Sequence, residues 1–311
     1  MEKLNGVIKA QQFDKETVEK IFTIAAEMEN NIPTDLLNGK IMASLFYEPS
    51  TRTRFSFEVA MLKLGGKVVS TENAREFSSA TKGESLEDTI RTINQYGVDV
   101  IVLRYHKEGG AKRAQIFSKV PVINAGDGTG QHPTQALLDL YTIKKHSGKI
   151  QGLKIALVGD LINGRTVRSL CYFLAKHYPR NHIYLVSPKQ TRMRDDIKQY
   201  LNKYKVDWQE TEELKPILSS IDVIYQTRVQ KERFKENRQL YKEVLRVSEK
   251  LIINENTLEL MKQNAIIMHP LPRNTEISYA VDNNPRAIYF WQVKNGLFIR
   301  MALLKMILIG Y

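Results

Sequence analysis

The sequence predicts an α/β fold of two domains, each a parallel sheet with helices on both faces, joined by crossing helices. Three observations predict it. Seven apolar runs of strand length alternate with stretches of helical periodicity along the chain. Most of these runs are continuous, where a half-solvated strand would alternate, so both faces of the sheet are covered. After the helix at 133–147 ends at Gly148, a polar link, KIQG, precedes a fresh strand, and the last helix has no strand after it. The units make one sheet or two, and the break at the link favours two.

The elements follow in order. Asp14 caps a helix over about 14–29, with Val18, Ile21, Phe22, Ala25 and Met28 at helical spacing. IMASLFY (41–47) is a strand. A helix from about Thr51 to Leu64 stops at Gly65-Gly66. Phe55, Val59 and Leu62 recur on it at helical spacing, and so do Phe57, Met61 and Leu64, which predicts a helix buried on much of its circumference. SLEDTIRTINQYG is helical, and VDVIVLRY (98–105) and VPVINA (120–125) are strands. TQALLDLYTIKKHSG is a helix with Pro133 at its first position. Strands KIALVGD (154–160), HIYLVSP (182–188), DVIYQT (222–227) and AIIMHP (265–270) alternate with helices in TVRSLCYFLAKHY and TLELMKQN. The last helix, about 293–309, crosses back, so the first domain is 1–148 with the C-terminal segment 286–311 and the second is 149–285.

The 311 residues are 42% hydrophobic and 26% charged, values of a soluble globular protein able to bury a large core. The single cysteine, Cys171, excludes an internal disulfide and a cysteine-based zinc site, and reads as a buried small apolar residue. The opening residues, MEKLNGVIKAQQF, lack the apolar core of a signal peptide. The longest apolar run, near Leu297 to Ile309, is interrupted by Arg300 and Lys305 and is too short to span a bilayer. A cytoplasmic protein without membrane contact is expected. The net charge of +12 fits either a nucleic-acid binder or a basic surface for anionic small molecules. The basic residues are dispersed and mixed with acids, as in QKERFKENRQ, which favours small anions and no nucleic acid.

Ligands of open parallel sheets bind outside the carboxyl ends of the strands. Those ends carry EPSTRTR, Arg104 and His106, GDGTGQHPTQ, LINGRT, RVQKER and LPR, a concentration of Arg, His, Gln, Ser and Thr. In FYEPSTRTRFSFE (46–58), Ser50 to Thr53 fall at a helix N-terminus, where backbone N–H groups and the positive end of the helix dipole point outward. Three hydroxyls and the fork of Arg52 add donors for a phosphate. A solvated serine/threonine cap is the alternative, and the donor density favours the phosphate. His132 and Gln135 lie in the first turn of their helix near the same surface, and His132 there is structural or catalytic in equal measure. VGDLINGR lacks the dinucleotide fingerprint, and no P-loop occurs, so neither a nicotinamide cofactor nor nucleotide-driven chemistry is expected.

STRTR at 50–54, HPTQ at 132–135, GR at 164–165, TRVQKER at 227–233 and HPLPR at 269–273 closely resemble the aspartate carbamoyltransferase family, catalytic chains of an early step in pyrimidine synthesis. The match runs in order over nearly the whole chain. STRTR alone marks the wider carbamoyltransferase family, while TRVQKER with HPLPR is specific to the aspartate branch. The ornithine branch resembles His-Cys-Leu-Pro at the late motif, where this chain has Pro270.

The resemblance implies a carbamoyl-phosphate-binding first domain and an aspartate-binding second one. Carbamoyl phosphate would lie on Ser50, Thr51, Arg52, Thr53 and Arg104. Thr53, Arg104 and His132 would polarise its carbonyl. Gln135 and the backbone carbonyls of Pro270 and Leu271 would hold its amino group. Arg165, Arg228 and Gln230 would grip the carboxylates of aspartate. Glu48 would pair with Arg165 and Arg233 on closure. Ser78 and Lys82 would reach a neighbouring subunit's site, Ser78 toward carbamoyl phosphate and Lys82 toward aspartate, in a homotrimer with shared sites. Separate regulatory chains or other pyrimidine-pathway enzymes are possible partners. No cofactor or metal is implied. The rivals are transfer to another amine, such as ornithine, and a nucleic-acid-binding protein on a retired enzyme fold.

Overall fold

A computed structural model describes residues 2–72, 83–230 and 234–311. The chain divides into two units, Met1–Tyr141 with Val293–Tyr311, and Thr142–Gln292.

In the first unit, α1 (Lys15–Asn30) begins where the Asp14 carboxylate accepts the Thr17 N–H, and it buries the apolar stripe from Val18 to Met28. Strands β1 (Ile41–Phe46), β2 (Lys67–Thr71), β3 (Val100–Tyr105) and β4 (Val122–Asp127) form a parallel sheet in the order β2-β1-β3-β4. Helices α2 (Thr51–Lys63), α3 (Leu86–Asn94) and α4 (Gly110–Phe117) lie in the crossovers, and α5 (Pro133–Ser147) follows β4. Gly65, at φ +86°, ends α2, and a Cβ there would stand 2.4 Å from the Thr34 carbonyl.

The second unit holds β5 (Lys154–Val158), β6 (His182–Val186), β7 (Asp207–Thr211), β8 (Val223–Gln226) and β9 (Ile266–Met268), parallel in the order β7-β6-β5-β8-β9. Its helices are α6 (Arg165–His177), α7 (Asp195–Lys203), α8 (Arg238–Glu249) and α9 (Glu255–Leu260). The last helix, α10 (Tyr289–Leu308), starts in this unit and ends in the first. Cys171 is fully buried in α6, and burial pushes its thiol up to about 12.

Two expectations need correction. Helix α2 is not buried around its circumference. Phe57, Ala60 and Met61 face the core, whereas Phe55, Val59 and Leu62 are 50%, 38% and 58% exposed. Their i, i+4, i+7 spacing makes a second apolar face that the described residues leave uncovered. The strand count was also short, because β2 (KVVST) and β7 (DWQET) are edge strands whose polar residues face water.

Arg273 locks the segment after β9. Its guanidinium forks onto Asp282, and Nη1 also donates to the Tyr289 hydroxyl at 2.9 Å, which in turn donates to Asp282. Arg273→Ala is expected to cost about 2 kcal/mol, read as a lowered Tm, because it removes charged hydrogen bonds to Asp282 and to the buried Tyr289 hydroxyl. The same fork holds the Asp282 carboxyl below its usual range. That contribution is present above the ordinary carboxylate pKa and is lost as pH falls through the depressed value.

Candidate active site

In the first unit the strand order reverses between β1 and β3, so the crevice at their carboxyl ends is the expected ligand position. Phe46, the last residue of β1, is in register with Arg104 of β3, and the Tyr47 N–H donates to the Arg104 carbonyl at 2.9 Å. The start of α2 and the Arg104 side chain therefore emerge from adjacent strands. Ser50 is the N-cap of α2 and makes no side-chain capping bond, and the first helical N–H to bond back is that of Arg54, to the Ser50 carbonyl at 3.0 Å. The N–H groups of Thr51, Arg52 and Thr53 precede it in an α-helix and point outward. Thr51 and Arg52 are exposed, and Thr53 is buried. The Glu48 carboxylate lies 3.5 Å from Arg104 Nε.

Arg54 differs from Arg52. Its Nη2 pairs with Glu72 at 2.9 Å, and Nε lies 3.9 Å from Glu58. It serves the sheet edge.

His132 and Gln135 follow the β4 loop, and both are buried. Asp127 shapes that loop by accepting the N–H groups of Gly109 and Gln131 at 3.0 and 2.8 Å. His132 Nδ1 lies 3.4 Å from the Thr134 hydroxyl, and Gln135 Nε2 donates to Asp139 at 2.9 Å.

The second unit reverses its strand order between β5 and β8. Thr227, just past β8, donates its N–H and its hydroxyl to the Val158 carbonyl of β5, each at 2.8 Å. Gly159, at φ +117°, makes this approach possible, since a Cβ there would stand 2.3 Å from the Thr227 carbonyl. Arg228 and Gln230 follow Thr227 past the end of β8, the strand next to β5, and the chain leaving β5 leads to Arg165 at the first position of α6. Arg228 lines a cavity of about 140 Å³ with Gln226, Ser248, Asn274 and Glu276.

Pro270 and Leu271 follow β9. Leu271 adopts φ +53°, and its N–H donates to His269 Nδ1 at 2.7 Å. That acceptor role puts the proton on His269 Nε2, which donates to Glu276 at 2.9 Å. Burial opposes charge on Glu276, but the bonds from His269 and backbone N–H groups hold its carboxyl below the usual range.

The structure thus brings Ser50, Thr51, Arg52, Thr53 and Arg104 to one reversal point, and His132 with Gln135 to the end of β4. Arg165, Arg228 and Gln230 stand at the other reversal point, and Pro270 with Leu271 at the end of β9. Ser78, Lys82 and Arg233 lie outside the described residues. Sequence reasoning missed Asp139, Gln226 and Glu276. Of these, only Asp139 left a signal, the i, i+4 spacing of Gln135 and Asp139.

Two α/β units whose strand ends collect anion-binding donors define a protein that handles negatively charged small molecules. Residues 5–145 match the model of the aspartate/ornithine carbamoyltransferase carbamoyl-P binding domain, and residues 151–307 match the Asp/Orn binding domain. The chain belongs to the aspartate/ornithine carbamoyltransferase family. It is 57% identical to aspartate carbamoyltransferase 1, chloroplastic, of Pisum sativum, over 99% of this chain and 80% of that one. It is 44% identical to the aspartate carbamoyltransferase catalytic subunit of Clostridium novyi, over 97% of each. Among solved structures, aspartate transcarbamoylase from Trypanosoma cruzi in complex with carbamoyl phosphate superposes with a TM-score of 0.92 at 39% identity, over 98% of this chain and 96% of that one.

Proposed function

We propose that this protein transfers the carbamoyl group of carbamoyl phosphate to the amino group of L-aspartate, giving N-carbamoyl-L-aspartate and phosphate. The carrying observation is the register of Phe46 with Arg104, which sets an arginine beside the donor-rich N-terminus of α2. That pairing suits an acyl phosphate, whose carbonyl offers a second acceptor oxygen. The near full-length likeness to aspartate carbamoyltransferases supports the acceptor. In this reading Ser50, Thr51, Arg52 and Thr53 hold the phosphate. Thr53, Arg104 and His132 donate to the carbonyl oxygen, and Gln135 with the Pro270 and Leu271 carbonyls takes the amino group. Arg165, Arg228, Gln230 and Lys82 hold aspartate, and Ser78 reaches carbamoyl phosphate.

The aspartate amine attacks the carbamoyl carbon and forms a C–N bond while negative charge grows on the carbonyl oxygen. Fixed donors stabilise that oxygen most when its charge is greatest. The C–O bond to phosphate then breaks, and the departing phosphate takes the amine proton. His132 acts as a donor to the oxygen, and no group here needs to be a strong base. The same transfer is the early pyrimidine-synthesis step that the sequence motifs imply. The deciding assay offers carbamoyl phosphate with aspartate or with ornithine. Carbamoylation of aspartate is expected, and turnover of ornithine alone would overturn the reading.

A homotrimer with shared sites belongs to this proposal. The exposed stripe of Phe55, Val59 and Leu62 supports self-association, since contiguous apolar surface on a helix face marks an interface. Leu62→Asp is expected to convert the trimer to 35.8 kDa monomers in light scattering. A wild-type mass equal to one chain would remove the trimer. No described helix is long and apolar enough to cross a membrane. We place the protein in the cytoplasm, where a single buried thiol stays reduced.

A further inference from the structure

Gln135 presents two nearly isosteric ends, a carbonyl that accepts and an amide that donates. Which end meets a ligand decides what that ligand must offer. Asp139, one turn further along α5, is fully buried and receives Gln135 Nε2 at 2.9 Å, while Gln135 itself is 8% exposed. An ionised carboxylate only accepts, so the amide end of Gln135 is committed to Asp139 and the carbonyl end is left for the ligand.

A buried carboxylate without a compensating charge takes up a proton. Arg300 of α10, 4% exposed, supplies the charge that acts on Asp139. Burial lowers its guanidinium to about 10, and the charge of Asp139 works against that shift, so Arg300 stays a cation at neutral pH. Arg300 is itself pinned. Nη1 donates to the Ser56 hydroxyl at 2.9 Å, and the guanidinium stacks 5.1 Å from the Phe57 ring centroid. Gly296 makes room for it, because a Cβ there would stand 2.6 Å from Nη1. Ser56 lies three residues beyond Thr53 on α2, so Arg300 is anchored to the helix that begins at Ser50–Thr53 while its charge acts on Asp139.

We propose that Asp139 is a positioning residue that fixes the Gln135 carbonyl toward the ligand and so selects acyl phosphates bearing an amino group over those bearing a methyl group. This rests on the reading that Gln135 meets the carbamoyl amino group. Asp139→Asn keeps the shape but offers both a donor and an acceptor, so Gln135 turns between two orientations.

The test measures KM for carbamoyl phosphate and the inhibition constant of acetyl phosphate on the full chain, with melting curves alongside. In Asp139→Asn, KM is expected to rise about tenfold, the worth of one hydrogen bond, with the acetyl phosphate constant moving less than about twofold. The paired variant Asp139→Asn with Arg300→Gln removes both charges together, avoids stranding a buried cation, and is expected to give the same ratio. Equal weakening of both ligands, or no change in either, would overturn the proposal. Gln135→Met separates the two layers. If it leaves the preference for carbamoyl over acetyl phosphate intact, the Gln135 contact itself is wrong. If it abolishes that preference while the Asp139 variants keep it, only the positioning role fails.

Discussion

Arg52→Ala is expected to lower kcat/KM for carbamoyl phosphate about a thousandfold while leaving the melting temperature unchanged. The two outcomes separate because of where the side chain stands. Arg52 is exposed in the first turn of α2 and makes no ion pair among the described residues, so its loss removes nothing that holds the fold. Exposed substitutions of this kind stay within about 0.5 kcal/mol of wild type. Its proposed work is on the ligand, where removal of one preorganised donor typically costs a hundred- to a thousandfold. A charged donor on a phosphate belongs at the upper end, about 4 kcal/mol of barrier. Arg54→Ala makes the contrast. Its guanidinium pairs with Glu72 and faces Glu58, so its removal is expected to lower Tm before it touches affinity for phosphate. Initial rates and melting curves on the two variants decide the matter. If Arg54→Ala loses turnover at unchanged Tm and Arg52→Ala does not, the roles are reversed.

Arg228→Leu is expected to raise KM for aspartate about a hundredfold and to leave KM for carbamoyl phosphate within about twofold. Truncating one partner of a hydrogen-bonded charge pair costs 2 kcal/mol or more, and each 1.4 kcal/mol is tenfold. Lysine is a poor substitute, because a point charge cannot reproduce a planar fork on a carboxylate. The prediction is selective since Arg228 is fixed through Thr227 and Val158 of its own unit. Gly159→Ala is the positional control. Its Cβ would collide with the Thr227 carbonyl, so aspartate KM should rise with the Arg228 side chain still present. Substrate saturation curves for both ligands give the readout. An equal rise in both KM values would remove Arg228 from aspartate recognition.

Much of the fold was legible. Continuous apolar runs such as VIVL and IALV sit in strands covered on both faces, and Asp14 caps α1 as its side-chain chemistry directs. The edge strands β2 and β7 were not legible, because a strand with one neighbour keeps polar residues on its open faces and loses the apolar signature. The exposure of Phe55, Val59 and Leu62 was hidden for a related reason. Periodicity shows that a face is apolar, not what covers it. The cluster at Ser50–Thr53 was readable because a strand end, a helix start and a run of donors are all local. Asp139 with its link to Arg300, and the His269–Glu276 pair, were not, because each gains meaning from a group brought near by folding.

The sequence by itself determined the alternation of strand and helix, the donor-rich loops at the strand ends and the motifs of the carbamoyltransferases. All are properties of short stretches, set by side-chain type and spacing. Only the tertiary structure decided that Arg104 stands in register beside the start of α2, that Gly159 admits Thr227, and that Gln135 is held by a carboxylate under the charge of Arg300. Those are relations across crossovers, where strand order and burial fix which side chains meet and which of two chemically different ends a side chain presents.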